Sequence, residues 1–254
     1  MTVNEKKSPL KEKPLHYPGQ SLDEKLDHIK MDMLRLGLVT LLVVAVAVLE
    51  CWRWFTHSPP QPIAATVVAV VVGGYCIPKF LKLRKLHDNC ELGRDGERQV
   101  GQGFEELRKE GYSVFHDLVA NNFNVDHVIL SQRGIFVIET KTYRKPRTGN
   151  PTITFDGEEI VMDGKSRDRD PVEQAKRNAK WLRDELHRRT EKWFPVKPVV
   201  VFPGWWVEEQ NNRDVWVLNP EMLKFRIARE PEMLTKDDML LLQTTVSWLV
   251  RLTG

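Results

Sequence analysis

Apolar positions follow three different rhythms along this chain. Residues 36–49 and 63–77 are uncharged and apolar around the whole helical circumference, residues 124–141 are apolar in near-continuous short runs, and residues 172–186 and 239–249 are apolar only every third or fourth position. The first rhythm predicts membrane helices. With residues 33–35 and 50–55 as shoulders, the first run reaches the roughly 20 residues that a bilayer core requires, and Trp52 and Trp54 suit its interface. Residues 57–62 contain three prolines and predict a tight loop, so one span covers 33–55 and a second 61–78. Upstream, Ser21 and Glu24 fit a capping box, and Leu22, Leu26, Ile29 and Met33 recur at helical spacing. They predict a juxtamembrane helix over 21–32, preceded by a disordered, Lys- and Pro-rich basic arm over 1–20. A buried helical hairpin in a soluble protein is the alternative, but it would carry an apolar stripe rather than a fully apolar circumference.

Cations flank the pair of runs asymmetrically. Lys25, Lys30 and Arg35 precede the first, Lys79, Lys82, Arg84 and Lys85 follow the second, and the connecting loop has none. The positive-inside rule then puts both termini in the cytosol, in a multi-pass protein of the cell (inner or plasma) membrane. More than thirty mostly polar residues before the first run argue against a cleaved leader. Glu50 and Arg53, three apart near the outer end of the first span, read as an interfacial ion pair or as a functional intramembrane pair.

The remaining residues predict a mixed α/β domain over 91–205, with a C-terminal strand and helices over 206–254 packing on it. After Glu91, Val100, Phe104 and Leu107 form a helical stripe on which Glu97 also falls. That carboxylate is either aimed at the core side of the domain or, in a first turn, complements the helix dipole. Residues 124–130 and 135–141 predict two strands joined at Ser131-Gln132-Arg133-Gly134. Asp170-Pro171-Val172-Glu173 opens a second helix with buried stripe Val172, Ala175, Ala179, Leu182 and Leu186. Residues 198–203 and 214–218 predict further strands, with Trp205 and Trp206 between them as packing anchors or base-stacking platforms. Met239, Leu242, Val246 and Leu249 mark a last packing helix.

Charge and cysteine content change this picture little. A net charge of +3 over 254 residues names no partner, and Cys51, Cys76 and Cys90 lack metal-ligand spacing. They read as inert thiols.

The strand pair carries the chemistry. If Leu130 faces Ile135 across a four-residue loop, Asp126 stands opposite Glu139 and Asn124 opposite Lys141, all four on one face. Opposed like charges destabilise a sheet unless something neutralises them. A divalent cation such as Mg²⁺ or Mn²⁺, held by Asp126 and Glu139, would do so and leave room for a substrate phosphate. Lys141 could then orient or deprotonate the attacking water and offset charge developing on the phosphorus. The ordinary alternative is a Glu139–Lys141 salt bridge at a strand end. Apolar neighbours on both faces favour the first reading, because acids there are partly desolvated and the sheet must be covered by helices on each side. Arg144, Lys145 and Arg147 follow the site and are placed to hold substrate phosphates. Lys176, Lys180 and Arg183 form a basic row on the second helix that is either a phosphate-binding face or a solvated one.

Taken together, Gly96-Glu97, Asn124-x-Asp126-His127, Gly134-Ile135-Phe136-Val137-Ile138-Glu139-x-Lys141 and Asp170-Pro171-x-x-Gln174 resemble the NERD (nuclease-related) domain, a family placed in the Asp…Glu-x-Lys, PD-(D/E)XK, restriction-endonuclease-like superfamily. The resemblance spans about residues 91–190. It implies an α/β/α sandwich with a mixed central sheet, here preceded by the transmembrane hairpin, and divalent-metal phosphodiester hydrolysis. By motif, Asp126 and Glu139 are similar to the family's metal ligands, Lys141 to its catalytic lysine, Glu97 to its helix-borne acid and Gln174 to its polar helix residue. The expectation is a membrane-anchored, Mg²⁺- or Mn²⁺-dependent nuclease acting on DNA at the cytosolic face. Its alternative is a catalytically silent, membrane-tethered nucleic-acid-binding or protein-interaction module. Expected partners are nucleic acid, the bilayer through residues 33–78, and a second copy of the chain in a homo-oligomer.

Overall fold

The computed structural model describes residues 15–56, 62–120, 123–145, 152–157, 159–162, 165–166, 171–209 and 214–252. Two compact units result: Ser21–Leu92, and Met1–Gln20 together with Gly93–Gly254.

The first unit is built from α1 (Gln20–Phe55) and the part of α2 (Pro62–Arg108) up to Leu92, the rest of α2 belonging to the second. Leu26, Ile29 and Cys90 pack together, with Met33 and Leu83 against them. Both helices are long and apolar enough to cross a membrane, and none of the apolar window of α1 and 6% of that of α2 is buried by protein. A core hairpin of a soluble protein would bury those faces. Glu50 and Arg53 pair at 3.1 Å. The helix expected over 21–32 and the first apolar run are one 36-residue helix, since no proline or glycine interrupts residues 21–36.

A larger departure concerns α2, which runs for 47 residues from the second apolar run through the basic cluster to the stripe Val100, Phe104 and Leu107. Glu97 therefore lies far from the helix N-terminus at Pro62, and the reading in which it complements a helix dipole falls away.

In the second unit a five-stranded sheet has the order β1-β2-β3-β7-β9, from β1 (Ser113–Val119), β2 (Asn124–Ser131), β3 (Gly134–Thr140), β7 (Val196–Val201) and β9 (Trp216–Leu218). β1, β2 and β3 pair antiparallel, while β3–β7 and β7–β9 pair parallel, so the sheet is mixed. One face, with Val128, Leu130, Ile135 and Val137, packs on α3 (Pro171–Thr190) and α5 (Lys236–Leu252) through Leu182, Leu186, Leu242 and Val246. On the other face Ile129, Phe136 and Ile138 meet Val100 and Phe104 of α2 and Leu223 and Ile227 of α4 (Pro220–Ile227). This is the expected α/β/α arrangement. Alternation puts each strand's side chains on two faces, and both are apolar because both are covered.

A smaller sheet, ordered β6-β5-β4-β8, comprises β4 (Thr152–Phe155), β5 (Ile160–Met162), β6 (Lys165–Ser166) and β8 (Trp206–Glu209). Its core of Ile153, Phe155, Met162, Phe202 and Trp205 also holds Val172 and Ala175 of α3. Of the expected basic arm, residues 1–14 lie outside the described residues. His16 and Pro18, however, belong to this folded unit: the His16 Nδ1–H donates to the Asp117 carbonyl at 2.7 Å, and Pro18 fills the space above Gly101. Asp170, the expected cap of α3, also lies outside the described residues.

Candidate active site

The β2–β3 hairpin positions the central pair of acids. Leu130 faces Ile135 as expected, but Ser131 also faces Gly134, so the turn is two residues, Gln132-Arg133, rather than four. Gly134 closes it at φ +136°, a backbone conformation that glycine adopts without strain. The ladder continues to His127–Ile138. One position further, where register sets Asp126 opposite Glu139, a side chain makes the link: the Thr140 N–H donates to Asp126 Oδ2 at 2.7 Å.

The expected pairing of Asn124 with Lys141 does not form. The Lys141 N–H donates instead to Val201 O at 2.9 Å, and Asn124 pairs with Val119 of β1. The ladder to β2 ends at Ile138, whereas the parallel ladder to β7 on the other edge of β3 runs on through Thr140.

Lys141 nevertheless turns its side chain to the predicted acid. Its ammonium donates to Glu139 Oε1 at 2.6 Å and to Gln174 Oε1 of α3 at 3.0 Å. The other carboxylate oxygen, Glu139 Oε2, accepts from Asn178 Nδ2 at 3.1 Å, and Asn178 also donates to Asn124 O at 3.3 Å. Gln174 and Asn178 are one helical turn apart, so a single face of α3 holds both ends of this network. Asp126, Glu139 and Asn178 are all buried.

Glu97 enters from α2, at a place where the helix comes very close to the chain after β3. A Cβ at Gly96 would lie 1.7 Å from Thr142 Oγ1, so only glycine permits this approach. Asp117 on β1, at φ +50° and buried, adds a further carboxylate, and its Oδ1 accepts from Asn124 Nδ2 at 3.2 Å.

These acids burden one another. Burial, reinforced by the Asp117 and Glu139 carboxylates, pushes the Glu97 carboxyl up to about 8 against the pull of Lys141. Burial and the charges of Glu139 and Glu97 raise Asp126 well above the usual carboxylate range. Burial also raises Glu139, although Lys141 and Arg177 oppose it. Burial alone would loosen the Lys141 proton, but Glu139 and Asp126 outweigh it, and the ammonium is held more tightly than usual. Excess buried negative charge of this kind marks functional sites.

Hard oxygen donors carrying more negative charge than their neighbours neutralise suit a divalent cation. Among the described residues, the one trio of ligand atoms within 4.8 Å of one another is His87, Asp88 and Glu91, which lies in the helical unit and shares no residue with this site. The carboxylates of Asp126, Glu139, Glu97 and Asp117 do not form such a trio among the described residues.

Residues 92–203 match the family model described as the nuclease-related domain, NERD. That segment is similar to the nuclease-related domain. No curated protein and no solved structure matches the chain. The matched segment takes in Gly96, Glu97, Asp126, Glu139, Lys141, Gln174 and Asn178, and it ends before Trp205.

Within the matched segment the other expected residues divide. Arg144 and Lys145 are exposed on the segment after Lys141, and Arg147 lies outside the described residues. Lys176 pairs with Glu173 at 3.3 Å and Lys180 is exposed. At about 100° per residue Lys176 stands about 200° round α3 from both Gln174 and Asn178, and Lys180 about 240° and about 200°, turned away from the acids. Arg183 is taken by Asp184 at 3.0 Å. The α3 cation that acts on Glu139 is Arg177.

His127, part of the motif, points to the opposite face from Asp126. Its Nδ1–H donates to His116 Nδ1 at 2.9 Å, while His116 Nε2–H donates to Glu105 Oε1 at 2.6 Å. Burial lowers both imidazoles, keeping them neutral, so this pair serves packing between β1, β2 and α2. Sequence reasoning missed Arg177 and Asp117 as neighbours of the acids, and although Asn178 stands out as a polar residue one turn after Gln174 beside the buried stripe, it was given no role; Asp117 gave no signal.

Proposed function

We propose that this chain is a membrane-anchored, divalent-metal-dependent nuclease that hydrolyses DNA phosphodiester bonds at the cytosolic face of the cell membrane. The observation that carries this reading is the Lys141 ammonium bridging Glu139 and Gln174 beside a second buried acid, Asp126. A salt bridge kept only for strand-end stability would not require Asp126, Glu97 and Asp117 to be crowded against it.

In this reading Asp126 and Glu139 hold Mg²⁺ or Mn²⁺, with Glu97 as a third acid. The bound cation supplies Lewis-acid stabilisation of negative charge on the phosphoryl oxygens. Lys141 orients the attacking water and offsets charge on the phosphorus centre as the bond to the leaving oxygen breaks. Held as an ammonium by two carboxylates, it acts as a donor. Gln174 fixes the Lys141 side chain, and Asn178 fixes the Glu139 carboxylate that would hold the cation. Arg144 and Lys145, exposed next to the site, hold substrate phosphates.

The uncovered apolar windows of α1 and α2 support the anchor. The cations at 25–35 and 79–85 favour an orientation with both termini and the α/β domain on the cytosolic side.

The test uses the full chain in detergent with linear and circular DNA, in Mg²⁺, in Mn²⁺ and with chelator, beside Asp126→Ala and Lys141→Ala. Metal-dependent cleavage lost in both variants is the expected result. DNA binding without cleavage, unchanged by either substitution, would replace the nuclease with a tethered binding module.

A further inference from the structure

Two adjacent tryptophans just past the end of the family match meet opposite fates. Trp205 is 1% exposed, its Nε1–H donates to Tyr143 O at 3.3 Å, and its carbonyl accepts from Asn219 Nδ2 at 3.0 Å. Trp206, the first residue of β8, is 69% exposed. Other exposed indoles of this domain are covered. Trp193 carries His187 stacked at 3.8 Å, and Trp248 carries the Arg189 guanidinium at 4.1 Å. Among the described residues no ring or cation covers Trp206.

Trp206 borders a pocket of about 560 Å³ together with Lys145, Thr152, Gly204, Glu208 and Asn219. That volume falls in the roughly 300–1,000 Å³ range of sites for small organic groups. Gly204, at φ +76°, lets Lys145 settle against the backbone: a Cβ there would lie 3.3 Å from Lys145 Nζ. Lys145 has no ion-pair partner among the described residues. An uncovered indole, an unpaired ammonium and a carboxylate acceptor thus share one pocket wall. Asn219 stiffens that wall, because its Oδ1 also caps α4 by accepting from the Glu221 N–H at 2.9 Å.

The pocket is also joined to the acids. Lys141 N–H bonds Val201 O at 2.9 Å, and Trp205 Nε1–H bonds Tyr143 O, so residues 141–145 and 201–205 run together from the site to the pocket. Lys145 is four positions after Lys141, at most ~14 Å of chain.

We propose that this pocket binds an unpaired nucleobase, stacked on Trp206 with its flanking phosphate on Lys145. The preferred substrate is then a single-stranded or frayed nucleic-acid strand whose next phosphates reach Asp126, Glu139 and Lys141. In a duplex both faces of each base are already stacked, and an exposed indole gains nothing from them; a free base offers a π-face whatever its sequence. Glu208 adds an acceptor for exocyclic amino groups. This inference rests on the nuclease reading of the neighbouring carboxylates.

The full chain in detergent, with chelator to prevent cleavage, is titrated into a fluorescein-labelled 12-nucleotide single strand, the matching blunt duplex and an abasic strand of equal charge. Trp206→Ala is expected to weaken single-strand binding roughly 5- to 150-fold and leave duplex and abasic binding unchanged. Trp206→Phe retains most of the affinity, and Lys145→Ala weakens all three ligands alike. Unchanged single-strand binding in Trp206→Ala overturns the proposal, as does an equal loss on the abasic strand. A shift in Trp206 emission on anionic vesicles but not on the oligonucleotide also overturns it, assigning the indole to lipid. Trp206-dependent binding without metal-dependent cleavage would remove the nuclease reading and keep the pocket; cleavage indifferent to Trp206 would do the reverse.

Discussion

Glu97→Gln removes one of four crowded carboxylates while keeping the side chain's shape. The carboxyl titrates near 4.5 in an unfolded chain and is pushed up to about 8 in the fold. Between those values the folded state binds a proton that the unfolded state has released. This contribution is therefore fully present below 4.5 and is lost as pH rises through about 8. At pH 7 the mismatch spans ~2.5 pH units at about 1.36 kcal/mol each, or ~3 kcal/mol. Glu97 is only half-buried, and solvent screening reduces this to about 2 kcal/mol. Glutamine carries no such penalty. Without metal, Glu97→Gln should thus be more stable than the parent by about 2 kcal/mol at pH 7, more at pH 8, and indistinguishable near pH 4.5. Near-UV circular dichroism of the full chain in detergent with chelator should read this as a melting temperature about 4–8 °C higher at pH 7. Cleavage activity should fall in the same variant. A gap that is the same at pH 5 and pH 8, or a variant that melts lower, would refute the mutual burden of these acids.

Two further substitutions probe how the site is held. Gly96→Ala drives a Cβ to 1.7 Å from Thr142 Oγ1 and should destabilise the α/β domain by about 1–3 kcal/mol, with an unchanged melting temperature counting against the close approach. Asn178→Leu keeps the volume but deprives Glu139 Oε2 and Asn124 O of their donor, and calorimetry with Mn²⁺ should show ~10–100-fold weaker binding. Undiminished Mn²⁺ affinity would mean that Asn178 only packs.

The hairpin was legible because everything that builds it is local. Asp126 and Glu139 are 13 positions apart, the alternation of apolar residues has a period of two, and a turn at 131–134 allows one register that keeps both apolar sets buried. The stripes of α3 and α5 were legible for the same reason, and Ala175, Leu182, Leu242 and Val246 are buried as their spacing requires. Strand β1 was not, because His116 and Asp117 interrupt its apolar run, and their burial depends on Glu105 of α2 and Asn124 of β2. Nor was the fusion of the second apolar run to the helix carrying Glu97, since Pro78, Gly93 and Asp95-Gly96 read locally as breaks and the helix runs through all of them.

Periodicity alone therefore determined the two uncovered helices, the mixed α/β layers and the facing acids, because each rests on side-chain direction along a single segment. Tertiary structure decided which groups surround those acids: Asn178 rather than Lys176, Asp117 from a strand without a signal, and Lys141 turned by its bond to Val201. It also decided that Trp205 is buried while Trp206 is open. Each of these depends on how segments far apart in the chain meet. Burial and charge at such a meeting are properties of the pair, and neither segment carries them alone.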